Sequence, residues 1–135
     1  MKRENLQLMA NHLKNNVIPE NFEMDQYRAN GDYINPVCGS VGCTVGNCTV
    51  LDTENVMNNF INSDGRIDFT AWSEDYTGLL EAEYEAEWEW CFGCQWIFID
   101  NTPTGAALRI EWLLNHGLPE NWMSQMYGRE ELCYM

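Results

Sequence analysis

Apolar residues return at helical spacing near both ends of the chain and at alternate positions in its middle, and the two periods predict different elements. Leu6, Met9, Ala10, Leu13 and Val17 predict a helix over Glu4 to Asn15, ended by Asn15–Asn16 and Pro19. A second helix is predicted over Pro103 to His116. Thr102 is placed to cap it, and Pro103 takes the first helical position, where its missing N–H costs nothing. Its stripe is Ala106, Ala107, Ile110, Leu113 and Leu114, and Gly117 with Pro119 beyond it ends the run. Ser40 can cap a short helix over Val41 to Leu51 whose small face, Gly42, Cys43 and Gly46, permits close packing. Thr53 can cap another over Glu54 to Phe60.

After the turn signal Ser63–Asp64–Gly65 the period changes. Ile67, Phe69 and Ala71 alternate with polar neighbours. Alternation resumes at Ala82 and runs through Tyr84, Ala86, Trp88, Trp90, Phe92, Cys94, Trp96 and Phe98. A hairpin reversing near Gly93 would pair Trp90 with Trp96 and Trp88 with Phe98 on one face. The rival is a helix from Leu79 to Cys91, rich in Glu and Ala, which would stack Glu81, Glu85 and Glu89 at a cost of about 0.2–0.5 kcal/mol per like-charge pair. The strand reading leads to an α+β fold. Terminal helices and a short cysteine-containing helix pack on a small antiparallel sheet of about three strands, Arg66–Trp72, Glu83–Cys91 and Gln95–Asp100, in a single domain over 1–135.

The two terminal helices and their exits also resemble each other. Leu108, Trp112, Leu113, Asn115, Leu118, Pro119, Glu120, Asn121, Trp122 and Tyr127 stand 100 residues after Leu8, His12, Leu13, Asn15, Ile18, Pro19, Glu20, Asn21, Phe22 and Tyr27, with seven positions identical. Two readings stand: an internal helix–turn–aromatic repeat, or convergent helix-stop chemistry.

Charge changes the functional picture more than the fold. The formal net charge is −14, and nine carboxylates lie between Ile67 and Leu108 with no Lys or Arg among them. They are Asp68, Glu74, Asp75, Glu81, Glu83, Glu85, Glu87, Glu89 and Asp100. Such a block argues against nucleic-acid or anionic-membrane binding by charge and permits a basic protein surface or cations as partner, with simple solubility as the competing reading. Trp88, Trp90 and Trp96 lack the basic groove that stacking platforms need, so they read as core or as a protein-contact patch. Met1–Lys2–Arg3 runs into polar Glu4 and Asn5, which does not read as a signal peptide, and no stretch has the ~18 apolar residues of a membrane span. The expected location is cytoplasmic, where the six cysteines would be reduced thiols.

Motifs for chemistry are sparse. Cys38, Cys43, Cys91 and Cys94 could supply a four-thiolate zinc site, although the flanks of Cys91–Cys94 are unlike a zinc knuckle and buried reduced cysteine is the competing reading. Asn62 to Phe69 resembles part of a calcium loop but lacks carboxylates at both ends, so it reads as a surface turn. His12 and His116 adjoin no nucleophile motif. No catalytic residue is assigned, and no cofactor beyond the zinc alternative.

Cys38–Gly39–Ser40–Val41–Gly42–Cys43, then Trp88–x–Trp90–Cys91–Phe92, then Asp100–Asn101–Thr102–Pro103–x–Gly105–Ala106–Ala107–x–Arg109–Ile110 resemble, in that order, a set found in small uncharacterised proteins of tailed phages and some bacteria. The resemblance covers most of the chain. It implies a phage-infected bacterial cytosol and carries over no catalytic residue. The resulting expectation is a non-enzymatic acidic phage accessory factor that binds and modulates a host protein, such as a nucleic-acid-binding or defence protein. Its contact would be the surface of Asp68, Glu74, Asp75, Glu81, Glu83, Glu85, Glu87 and Glu89. The alternatives are the zinc module and a small carboxylate-dependent enzyme.

Overall fold

The terminal helices form where their stripes place them. In the computed structural model, which describes residues 1–22, 43–93, 95–96 and 99–126, α1 runs Arg3–Asn16 and buries Leu6, Met9, Ala10 and Leu13. After a short α2 (Thr44–Cys48), a 3-10 turn (Thr49–Asp52) leads into α3 (Thr53–Asn59). The rest of the chain forms α4 (Phe69–Thr77), α5 (Glu85–Phe92), α6 (Pro103–His116) and α7 (Trp122–Met126). α1 and α6 pack against each other. Arg3 donates to the Leu114 carbonyl, and Gln7 and Lys14 converge on Glu111 Oε2 at 3.0 and 2.8 Å. The N-terminus of α1 also closes on the end of α4, where the Lys2 amide donates to Thr77 O at 2.6 Å and Asn5 to Tyr76 O at 2.8 Å.

The expected α+β architecture is not what forms. Among the described residues there is no strand, and the backbone pairing there is an isolated bridge between Ile61 and Ile67. That bridge closes the Asn62–Arg66 turn. Asn62 Oδ1 accepts from the amides of Asp64 and Arg66, and Gly65 takes the left-handed φ of 78° that the turn requires. Asp68 then accepts from the Ala71 amide at 3.1 Å and starts α4. The alternation of Ile67, Phe69 and Ala71 was too short to discriminate. Continued to Thr77, the buried set Phe69, Trp72, Ser73, Tyr76 and Thr77 has spacings of three and four, so α4 replaces the expected strand Arg66–Trp72.

α5 replaces the strand Glu83–Cys91. Trp88, Cys91 and Phe92 form its buried i, i+3, i+4 set, Trp90 is buried beside them, and Glu and Ala are strong helix formers. The described part of Gln95–Asp100 is a turn, in which the amides of Ile99 and Asp100 both donate to Trp96 O. Trp90 and Trp96 do meet, edge to face with centroids 5.2 Å apart, but across a helix exit and not a hairpin. Phe98 lies outside the described residues, and Trp88 meets Phe92 edge to face at 5.5 Å.

The cysteine helix is shorter than Val41–Leu51 in its described part. Its entry is Cys43, Ser40 lies outside the described residues, and Cys48 packs its thiol toward Met9 O of α1. The third helix begins one residue before the expected range. Thr53 does not cap it and instead donates to Val50 O. One core cluster joins α1, α2, α4, α5 and α6, with Trp72 fully buried in it and its Nε1 donating to Asp52 at 3.0 Å. The two exits, 100 residues apart, are built alike: the Phe22 amide donates to Pro19 O and the Trp122 amide to Pro119 O, each at 3.1 Å.

Candidate functional site

The carboxylates are distributed by the helices that carry them. Residues 81, 85 and 89 are four apart, so on and just before α5 they share one face. Glu81 and Glu85 are exposed, and Glu74 of α4 closes the group by accepting from the Glu81 amide at 2.8 Å. Thr70, Glu74, Glu81, Ala82 and Glu85 line a hollow of about 400 Å³ there. Burial, then the charges of Glu81 and Glu85, raise the Glu89 carboxyl above its ordinary range. No Lys or Arg lies within ion-pair distance of this group among the described residues, where the ion pair present is Lys14–Glu111.

Other members of the expected surface do different work. Asp68 caps α4, and Asp75 faces α3, where Asn55 approaches its carboxylate at 3.4 Å. Glu83 and Glu87 line a second hollow of about 470 Å³ with Ala82, Glu85, Ala86, Trp122 and Met123. Glu85 therefore borders both hollows. The eight carboxylates do not form one flat row, because a helix turns successive side chains about 100° apart where a strand would have alternated them.

The tryptophans are placed by hydrogen bonds as well as by packing. Trp90 Nε1 donates to Arg109 O at 2.8 Å, and Trp96 Nε1 donates to Trp90 O at 2.9 Å. The Arg109 guanidinium lies over the Trp96 ring, 4.2 Å from its centroid. These contacts close a ring of three residues joining α5, the following turn and α6. All three are buried, and so is Trp88.

Arg109 carries the feature that sequence reasoning missed. It is 6% exposed, its Nη1 reaches Asp100 O at 3.3 Å, and its Nε and Nη2 have no hydrogen-bond partner among the described residues. Burial pulls the guanidinium down to about 10, partly offset by the charge of Asp100. It remains a cation at neutral pH. It lines a cavity of about 470 Å³ walled by Trp90, Trp96, Ile99, Leu108, Trp112 and Pro119, with Asp100, Gly105 and Gln125 at the polar side. A signal existed. Arg109 stands three after Ala106 and 100 after Met9, and both of those positions are buried.

Of the proposed zinc ligands, Cys38 and Cys94 lie outside the described residues. Cys43 and Cys91 are buried, and burial pushes the Cys91 thiol up to about 12. Among the described residues no group of three or more His, Cys, Asp or Glu side chains is arranged to hold a metal ion, and no helix is long and apolar enough to cross a membrane. His12 donates toward Asn47 O from Nε2 at 3.1 Å, and burial lowers its pKa. The chain matches no family model, no curated protein and no solved structure.

Proposed function

We propose that this is a non-enzymatic interaction protein that captures a basic segment of a partner protein on the carboxylate face of α5. One observation carries the reading: Glu81, Glu85 and Glu89 share a face that Glu74 adjoins, without a neutralising cation among the described residues, and burial, then the charges of Glu81 and Glu85, raise Glu89. A Lys or Arg entering this group would relieve that repulsion. The adjoining hollow adds apolar contact, since Met123 is 54% exposed beside Trp122. The favoured partner segment is therefore basic with an apolar anchor, and not a polycation alone. The motif resemblance points to a phage accessory factor modulating a host protein in the bacterial cytosol, and that is the setting we propose.

Mimicry of duplex DNA by a row of carboxylates would need Asp68, Glu74 and Asp75 beside the glutamates on one face, and Asp68 is instead turned to a helix cap and Asp75 to α3. The test is affinity capture from host lysate with the full chain and with a Glu81→Gln/Glu85→Gln/Glu89→Gln variant. A partner should be retained at low salt, released at high salt and lost by the variant. A complex indifferent to both salt and the triple substitution would remove electrostatic capture.

A further inference from the structure

We propose that the cavity between α5 and α6 is a binding site for a small carboxylic acid with an aromatic or apolar body, held by Arg109. This inference does not depend on the acidic face.

Burying a guanidinium with two unmet donors is unfavourable, and folded proteins rarely leave such groups unpaired. Here both donors are enclosed beside the cavity that Arg109 lines, and no described group meets them. Nη1 is occupied by a backbone carbonyl and one face lies on Trp96, which leaves Nε and Nη2. Those two nitrogens share one edge of the planar group, the edge that binds a carboxylate through two parallel hydrogen bonds. Asp100 is near enough to raise the Arg109 pKa but makes no ion pair with it among the described residues. Its Oδ1 accepts the Thr102 hydroxyl at 2.5 Å, and the carboxylate lies against Gly105.

The cavity walls set the rest of the ligand. They are chiefly indole and aliphatic, and the exposed apolar residues Ile99, Leu108 and Trp112 stand at its border. At about 470 Å³ the space falls within the range of small-molecule sites. Arg109 is the cation among the described lining residues, and Asp100 adds negative charge, so a monoanionic carboxylate fits better than a phosphate dianion.

The experiment is calorimetric titration and thermal shift of the full chain with three probes: phenylacetate, its neutral counterpart phenylacetamide, and acetate. Phenylacetate should bind saturably and raise Tm, with the amide roughly tenfold or more weaker and acetate weaker still. Arg109→Met should fold, because it replaces an unpaired buried charge with an apolar side chain, and should abolish the preference for the acid. Trp112→Ala changes a residue that is 48% exposed, and should weaken phenylacetate without unfolding the protein. Equal binding of acid and amide, acid binding that survives Arg109→Met, or no saturable binding up to roughly 10 mM each overturns the proposal.

Discussion

The Asp100 carboxylate occupies the space that a side chain at Gly105 would require, so the turn before α6 and the first turn of that helix are fitted to each other through a missing Cβ. A Cβ built at Gly105 would overlap both carboxylate oxygens of Asp100. The Thr102 hydroxyl completes the arrangement by donating to Asp100 and accepting from the Gly105 amide at 3.0 Å. Gly105→Ala should therefore destabilise the protein by about 1–3 kcal/mol despite the better helix propensity of alanine. Asp100→Ala in the same chain should recover part of the loss. Chemical denaturation of the two single variants and the double variant measures the coupling, and additive effects would show that the two sites do not meet.

Trp72 anchors the other end of the core. Its ring stacks on Tyr76 at 5.0 Å and its Nε1 reaches Asp52, which also accepts from Asn55 at 2.8 Å. Trp72→Phe should lose both packing volume and this hydrogen bond, for on the order of 2 kcal/mol. Thermal unfolding checks it, and a Tm within about a degree of the parent would contradict the assigned role.

Glu89 gives a pH signature of defined sign. Its folded-state pKa is raised by burial, then by Glu81 and Glu85, so the folded state holds this proton more tightly than the unfolded chain does. Its contribution therefore favours folding at low pH and declines as pH rises through the raised value. Glu89→Gln should be more stable than the parent at neutral pH, and the difference should shrink toward acid pH. Parallel urea titrations from acid to neutral pH would show a pH-independent difference if Glu89 were an unstrained surface carboxylate.

Cys91 should behave as an inert core thiol. It is fully buried and its pKa is pushed up to about 12, so almost no thiolate forms at mildly alkaline pH. Iodoacetamide should leave Cys91 unlabelled in the native protein and label it in denaturant, as read by peptide mass spectrometry. Fast native labelling would revive a reactive or metal-binding thiol.

Legibility followed length of pattern. α1 and α6 were readable because a full stripe with stop signals, and in α6 a start signal, leaves little freedom, and Arg3–Asn16 and Pro103–His116 extend the expected ranges only slightly or not at all. In the segment of alternating glutamates, period two in composition coincided with a helix whose inward set, Trp88, Cys91 and Phe92, is equally present at spacings of three and four. Both patterns were written in the same residues, and the like-charge cost of a helix was too small to decide between them.

The sequence by itself determined the terminal helices, the Thr102 cap, the deficit of positive charge around α5 and the apolar character of the tryptophans. These depend on residue type and local spacing. Tertiary structure decided that α4 and α5 are helices, which glutamates share a face, and that Arg109 is enclosed beside Trp96 with two donors unmet. Those outcomes depend on which surfaces meet across the core, and a buried charge is recognisable only once the groups around it are in place.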